Sequence, residues 1–538
     1  MKIKLLLLLL VLPVHLYSQE PETKSINVIN YDLDLDIYNC FTAPFKSVFS
    51  ASVNISVMPE KGIDQISLNA DNKYLIVDSV SGSGKYFIHS SNILRISLDK
   101  YYDSSEVFSV KIYYRHKDLF NESFVVRDGI LYTDCEPEGA RKWFPCNDIP
   151  SDKALMSISL KVPEQVNLTS NGILADSSVS NGILNYSFQS TKPIATYLIA
   201  IAGKVNFNLD VNLWEKYEEK ETIQLRYYWQ RGETLYNLNN VKNKVPRMLE
   251  LFSRLYGDYP FEKLAFATTN RDYKWGGMEN QTLITLCPDC WLEELACHEI
   301  AHQWFGDMIT PANWSDIWLN EGFATYNEAI WAEYNGGTAA YRKKISQEAG
   351  NYFRRNPGRP IFNSEWNTSV PADSVLFNEA LTYSKAGCVI YMLRYVLGDT
   401  SFFKSMYMYA NNPEFRFGNI STVQFVNFIC SINENDLRWF FDQWLNQPNH
   451  PVYQNDTFIE KTKSGSWKLD YTINQIQRNS SFFRMPVEFK VIFKNGSDTL
   501  IKADNEYNVQ KFSYEFTDEP VRVSFDPDNN IILKEIAK

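Results

Sequence analysis

Two histidines four residues apart, with a glutamate beside the first, are the residues in this chain best placed to do chemistry: His298, Glu299 and His302 in "HEIAH". The chain holds only six histidines. On a helix, residues four apart lie one above the other, so His298 and His302 can offer two imidazole nitrogens to one ion. Zinc takes nitrogen, sulfur or oxygen ligands in a tetrahedron, and a catalytic zinc keeps one position open for water. Two histidines therefore need a third protein ligand. The other four, His15, His89, His116 and His450, are scattered, which leaves a carboxylate or a cysteine. "WLNEGFATYNEAIW" supplies Glu321 near the start of a second predicted helix, which begins near Asp316 and ends at "NGG". The Thr-Pro turn and short loop between the helices suit an antiparallel return that brings Glu321 to the histidine pair. Glu328, two turns further along the same face, is placed to hold a ligand histidine by its second nitrogen. Glu299 points beside the ion, the position of a base that takes a proton from water. A metal makes that transfer accessible at neutral pH, because it lowers the pKa of water towards about 7. Asp289 reads as the cap of the first helix and Gly306 as its stop.

Both helices need a scaffold. "VPRMLELFSRLYGDYPF" puts Met248, Phe252, Leu255 and Tyr256 at helical spacing, with Gly257 as a stop. The chain from about 206 to 450 reads as mostly helical. Ahead of it, apolar residues alternate with polar ones. Tyr31, Leu33, Leu35 and Ile37 do so in "YDLDLDIY", and Phe49, Ala51, Val53, Ile55 and Val57 in "FSASVNISV". "VFSVKIYY" and "MSISLKV" continue the pattern. A period of two means one dry and one wet face of an antiparallel sheet, so a β domain is expected at about 20–205. Near the end, "VEFKVIF", "NG" and "DTLIK" form a hairpin signal and "VRVSF" follows, which predicts a small β-sandwich at 451–538. The fold class is therefore α+β multidomain: an N-terminal antiparallel β domain, a mainly α domain carrying the chemistry, and a small C-terminal β domain.

Composition bounds the partners. At 538 residues and 44% hydrophobic, the chain can bury several cores. "MKIK", "LLLLLLVLPV" and "HLYSQE" form a signal-peptide pattern over residues 1–18, with cleavage near Ser18 or Gln19. The apolar run is shorter than the ~20 residues of a membrane span. Export to the periplasm or beyond the cell is expected, with no stable membrane insertion after signal removal. The formal charge is −11, and loss of Lys2 and Lys4 with the signal leaves about −13. That sign argues against nucleic acid, whose phosphates need Lys and Arg. Eight cysteines are too few for a disulfide scaffold, although export permits disulfides. Cys287 and Cys290 in "CPDC" read as packed thiols or a structural disulfide ahead of a redox or second zinc site. Nothing in the sequence specifies an oligomeric state.

"HEIAH", eighteen residues and then Glu321 resembles the gluzincin metallopeptidases, whose zinc chemistry thermolysin-type endopeptidases share. Upstream, "DYKWGGMENQTLIT" is similar to the GxMEN motif of the aminopeptidase N family, which also includes leukotriene A4 hydrolase. The resemblance implies a thermolysin-like catalytic domain with one zinc ion per chain on His298, His302 and Glu321, and Glu299 as general base. It implies an edge strand that lays Gly276, Gly277 and Met278 along the peptide backbone, and Glu279 gripping the free α-amine. An internal residue would leave that carboxylate buried and unpaired, at a cost of about 3–5 kcal/mol. "YTDCEPEGARKWFPCNDIP" resembles the family segment that carries a second amine-binding acid, here Glu136. The family has Gln two residues earlier. This chain has Asp134, which implies a more acidic first pocket suited to Lys or Arg, unless solvent, Arg141 or Lys142 neutralises it. "LTYSKAG" resembles the family's tyrosine motif, with Tyr383 as hydrogen-bond donor to the oxyanion and Ala386 where Gly is usual. "DLRWFFDQWLNQPNHPVY" resembles the end of the catalytic domain, without the family's large C-terminal helical domain. The implied function is an exported zinc aminopeptidase acting on peptides with a free N-terminus. A catalytically inactive peptide-binding or assembly module of the same fold is a second reading, and an epoxide hydrolase-like side activity a third. Every expected catalytic residue is present, which argues against the second; nothing in the sequence favours the third.

Overall fold

The computed structural model describes residues 26–478 and 480–537, so the expected signal segment lies outside the described residues. Alternating apolar residues build a seven-stranded sheet from β1 (Ile26–Asp36), β2 (Phe49–Pro59), β3 (Leu75–Gly82), β4 (Phe108–His116), β5 (Leu155–Pro163), β6 (Ile173–Ser180) and β7 (Ile183–Gln189). Their order is β6-β7-β5-β1-β2-β4-β3. Neighbours run antiparallel except β1 and β5, which are parallel. Tyr31, Leu33, Leu35 and Ile37 are all 0% exposed, while Asp32, Asp34 and Asp36 face solvent. A slip of one residue would bury three aspartates, so the register is strongly specified.

The site rests on a second, five-stranded sheet: β8 (Asn208–Glu215), β9 (Thr222–Trp229), β10 (Lys263–Thr268), β11 (Gly277–Met278) and β12 (Leu283–Leu286), in the order β8-β9-β10-β12-β11. β9, β10 and β12 are parallel, with every residue of β10 and β12 buried, whereas β11 is an antiparallel edge. The first helix, α1 (Leu235–Tyr256), packs Val245, Met248, Leu249, Phe252 and Tyr256 into the core and stops at Gly257, which has φ 92°. Next come α2 (Glu293–His302), α3 (Trp318–Arg355) and α4 (Ala386–Leu397). α3 runs on past "NGG", where the sequence predicted its end. Gly337 breaks the helical backbone there, at φ 68° and ψ −169°. The helix resumes because Tyr341, Ile345, Ala349 and Tyr352 bury a second apolar stripe.

α3 and α4 meet through glycines. A Cβ on Gly322 would lie 2.8 Å from that of Ala386, and one on Gly387 would lie 2.9 Å from Thr325 Cγ2. Gly322 therefore makes room for the Ala386 methyl, which accounts for alanine in the tyrosine motif. At the C-terminus, Met485–Phe493 and Asp498–Asn505 form the expected hairpin, with Gly496 at φ 88°. This three-stranded sheet packs on a four-stranded one, with Tyr471 and Phe489 ring centroids 4.9 Å apart across the sandwich.

Candidate metal and peptide site

α2 begins with Glu293 and Glu294, acids at the positive end of the helix dipole. Leu292 is its N-cap, and Asp289 is not. The Asp289 carboxylate instead accepts from the Thr234 backbone N–H at 2.6 Å and its hydroxyl at 2.7 Å, at the start of α1. The Cys287–Cys290 disulfide and positive φ at Asp289 turn the chain here, so α2 starts too late for that residue to cap it. At the other end α2 stops at His302, four residues before the expected Gly306. Gly306 (φ 138°) serves close packing: a Cβ there would lie 3.2 Å from both His302 Nδ1 and Asn320 Nδ2.

α2 and α3 together gather the predicted ligands. Glu321 Oε2 lies 3.2 Å from His298 Nε2 and 3.4 Å from His302 Nε2. One ligand atom from each of the three falls within 4.8 Å of the others. The remaining ring nitrogens are held by acceptors, His298 Nδ1 by Glu328 Oε1 at 2.9 Å and His302 Nδ1 by the Phe305 carbonyl at 3.1 Å. With a proton on each Nδ1, both Nε2 lone pairs face Glu321, the donor set that zinc prefers. Burial would raise the Glu321 pKa, but when His302 and His298 carry a proton on Nε2 as well, they outweigh that effect and hold it down to about 2. Lys344 Nζ sits 2.6 Å from Glu328 Oε2 and anchors that carboxylate. Sequence gave no signal for this clamp, because Lys344 lies beyond the break in α3. Exchanging Lys344 for methionine is expected to weaken zinc binding about 10–100-fold in a chelator competition. Unchanged affinity would show that Glu328 holds His298 unaided.

The peptide side is built on β11. Gly277 passes so close to α2 that a Cβ on it would lie 2.3 Å from Glu299 Oε1. Met278 is buried in the N-terminal core and pins the edge strand at the seam between the two sheets. Glu279 follows, buried, with Oε1 unpartnered and 3.8 Å from His302 Nδ1. Gln303, which the sequence reading missed, ties α2 to this loop. Its amide donates to the Glu279 carbonyl at 2.9 Å, and its oxygen accepts from Thr282 N–H at 3.0 Å. Asn280 is 1% exposed, so the "NQT" sequon is closed to glycosylation. A Gly277→Ala variant is expected to keep its zinc yet lose about 100-fold in kcat, because the methyl displaces the Glu299 carboxylate. Wild-type kcat would sink that account of Gly277.

Tyr383 enters from a π-helical turn, Glu379–Lys385, that leads into α4. Such turns recur at functional sites because they re-aim a side chain. Its ring stacks on His298 at 6.1 Å and it lies close enough to Glu321 to feel that carboxylate. Burial, reinforced by Glu321, keeps the phenol protonated and so a donor. Glu136 arrives from the N-terminal region, its Oε1 also buried and unpartnered. These residues line a groove of about 940 Å³ that reaches from Glu136, Gly276 and Glu279 past the metal ligands to Trp331 and Gly336. Burial pushes the Glu299 carboxyl up to about 8 in spite of the two histidines. Asp134 does not line this groove but an adjoining cavity. Arg141 does not neutralise it, being engaged by Asp148 and Glu138.

Residues 236–444 match the Peptidase family M1 domain and residues 27–198 the Peptidase M1 N-terminal domain. The chain belongs to peptidase family M1. Among its M1 relatives, aminopeptidase N of Lactobacillus delbrueckii subsp. lactis is 27% identical over 353 residues, which is 62% of this chain and 40% of that protein. Glutamyl aminopeptidase of Sus scrofa is 26% identical over 430 residues, 75% of this chain and 43% of that protein. The chain spans about 40% of the length of the first curated relatives it matches. An M1 zinc metallopeptidase from Deinococcus radiodurans shares the fold at TM-score 0.68 and 23% identity, over 79% of this chain and 95% of that one. Legionella pneumophila aminopeptidase A in complex with aspartic acid does so at TM-score 0.78 and 16% identity, over 96% of this chain and 60% of that one. The two imidazole nitrogens and the carboxylate that α2 and α3 bring within 4.8 Å of one another are a donor set that suits one zinc ion.

Proposed function

We propose that this chain is an exported zinc aminopeptidase that hydrolyses the first peptide bond of peptides bearing a free N-terminus. The observation that carries the reading is the pair of buried, unpartnered carboxylate oxygens of Glu279 and Glu136, which line the groove together with Glu299 and the ligand triad. Burial raises both pKa values, with Glu279 adding to the effect on Glu136 and Glu321 to that on Glu279 in spite of His302, so an ammonium ion there relieves an electrostatic penalty. Only a chain start brings that ammonium next to a scissile bond.

The roles follow from position. Glu279 and Glu136 bind the α-amine, and Gly276, Gly277 and Met278 present an open strand edge to the peptide backbone. Held by His298, His302 and Glu321, a zinc ion would supply Lewis acidity toward the carbonyl and the attacking water. Glu299 takes that proton and delivers it to the leaving amine. Tyr383 donates to the oxygen on which charge develops. Glu328 orients His298. The proposed division is a signal at 1–18, a β domain at 20–205, a thermolysin-like catalytic domain at 206–450 and a β domain at 451–538. Among the described residues no helix is long and apolar enough to cross a membrane.

A panel of aminoacyl-arylamides, run with and without a zinc chelator, tests the activity. Hydrolysis that chelation abolishes and zinc restores is expected. No hydrolysis of any member by zinc-loaded protein, or cleavage of blocked peptides at internal bonds, would overturn the assignment.

A further inference from the structure

Tyr383 stands between anchored neighbours. Thr382 Oγ1 donates to the Leu376 carbonyl at 2.7 Å, and Lys385 Nζ to the Gln447 carbonyl at 3.1 Å. Ser384, fully buried, donates its hydroxyl to Glu348 Oε2 at 2.7 Å. The first two bonds fasten the π-helical turn to nearby backbone. The third leads back to the metal ligands.

The route runs through Lys344. Its Nζ lies 3.4 Å from Glu348 Oε1 and 2.6 Å from Glu328 Oε2, and the other Glu328 oxygen holds His298. Lys344, Glu328 and Glu348 are each 14% exposed or less, where polar contacts are stronger than in water. Glu294 of α2 adds a third carboxylate at 3.2 Å, but its side chain is largely exposed. An unbroken helix, rising ~1.5 Å per residue, would set Glu328 and Lys344 about 24 Å apart. They touch because α3 breaks at Gly337 and its second half turns back. That half therefore braces two groups at once: a candidate ligand histidine and the turn that carries Tyr383.

Resting on the aminopeptidase reading, we infer that Glu348 and Ser384 are positioning residues that aim Tyr383, and that Lys344 ties their setting to His298. Neither Glu348 nor Ser384 lines the groove, so neither meets the peptide. The Tyr383 hydroxyl must sit where charge develops in the transition state, which is a tighter demand than binding the ground state. A turn freed at Ser384 misplaces that donor while the amine-binding acids stay put. The loss therefore falls on kcat and spares KM.

The test is a double-mutant cycle on the zinc-loaded enzyme with an aminoacyl-arylamide substrate. Ser384→Ala and Glu348→Ala should each lower kcat about 10- to 100-fold, with KM and zinc content unchanged. Glu348→Gln still accepts from Ser384 and should recover part of that loss; no recovery would remove the Ser384 bond as the route. In a Tyr383→Phe background, Ser384→Ala should cost less than about twofold, because no hydroxyl remains to aim. A purely packing role would cost the same in both backgrounds. Lys344→Met at saturating zinc should still lower kcat, and a wild-type value there would sever the tie to His298. Wild-type kcat in Ser384→Ala, or an undiminished loss beside Tyr383→Phe, would overturn the inference and leave the aminopeptidase reading intact. Ser384→Ala carries the test alone if Glu348→Ala folds poorly. Inactivity of the wild-type enzyme on every arylamide would instead defeat the reading beneath it.

Discussion

Replacing Glu299 by glutamine is expected to leave zinc in place and lower kcat about 10²–10⁴-fold, the usual range for loss of a general base. The exchange keeps shape and volume, which matters because Gly277 presses against this carboxylate. Glu299 is outside the triad of His298, His302 and Glu321, so that triad stays intact, although Glu299 also lies within 4.8 Å of Glu279 and His302. Glutamine cannot accept a proton from water, and that step alone should fail. Zinc content measured on the same preparation separates this outcome from metal loss. A variant with full zinc and wild-type kcat would remove Glu299 from the mechanism.

The second large effect concerns the end of the chain that is recognised. N-acetylated peptides should resist cleavage by the wild-type enzyme, because acetylation removes the charge that Glu279 and Glu136 await. Glu279→Ala should lower kcat/KM for free-amine peptides about 30-fold or more, on the scale of a lost buried charge pair. The fold should survive, since the loop backbone is held by Gln303 and the deleted carboxylate oxygen has no partner to lose. The informative readout is the ratio of free to acetylated substrate, which should shrink in the variant. An unchanged ratio would mean that the amine is bound elsewhere.

Much of the site was legible locally. Helical periodicity alone stacks His298 on His302, and the same rule puts Glu321 and Glu328 on one face of α3. The contacts at 2.9–3.4 Å bear that out. The strand readings held for the same reason, since β1 buries every second residue from Tyr31 and β2 every second residue from Val53, although Ala51 is only half-buried. Local reasoning failed where chain geometry depended on distant contacts. Asp289 looked like a cap but serves α1, because the disulfide loop delays α2. The break at "NGG" looked like an end, but a second buried stripe carries α3 onward to Arg355.

From sequence alone came the histidine pair proposed to bind metal, its proposed base, a candidate third ligand and the alternation that builds the sheets. These depend on backbone periods of 3.6 and 2 residues, which neighbouring residues impose on one another. No periodicity links Glu136, Glu279 and Tyr383, which come from three remote segments; the motifs named them, and only tertiary structure brings them to one groove. It also moved Asp134 out of the main groove into the adjoining cavity and engaged Arg141 elsewhere. Burial sets the charge state of these carboxyls, and burial exists only once the sheets and helices have closed around them.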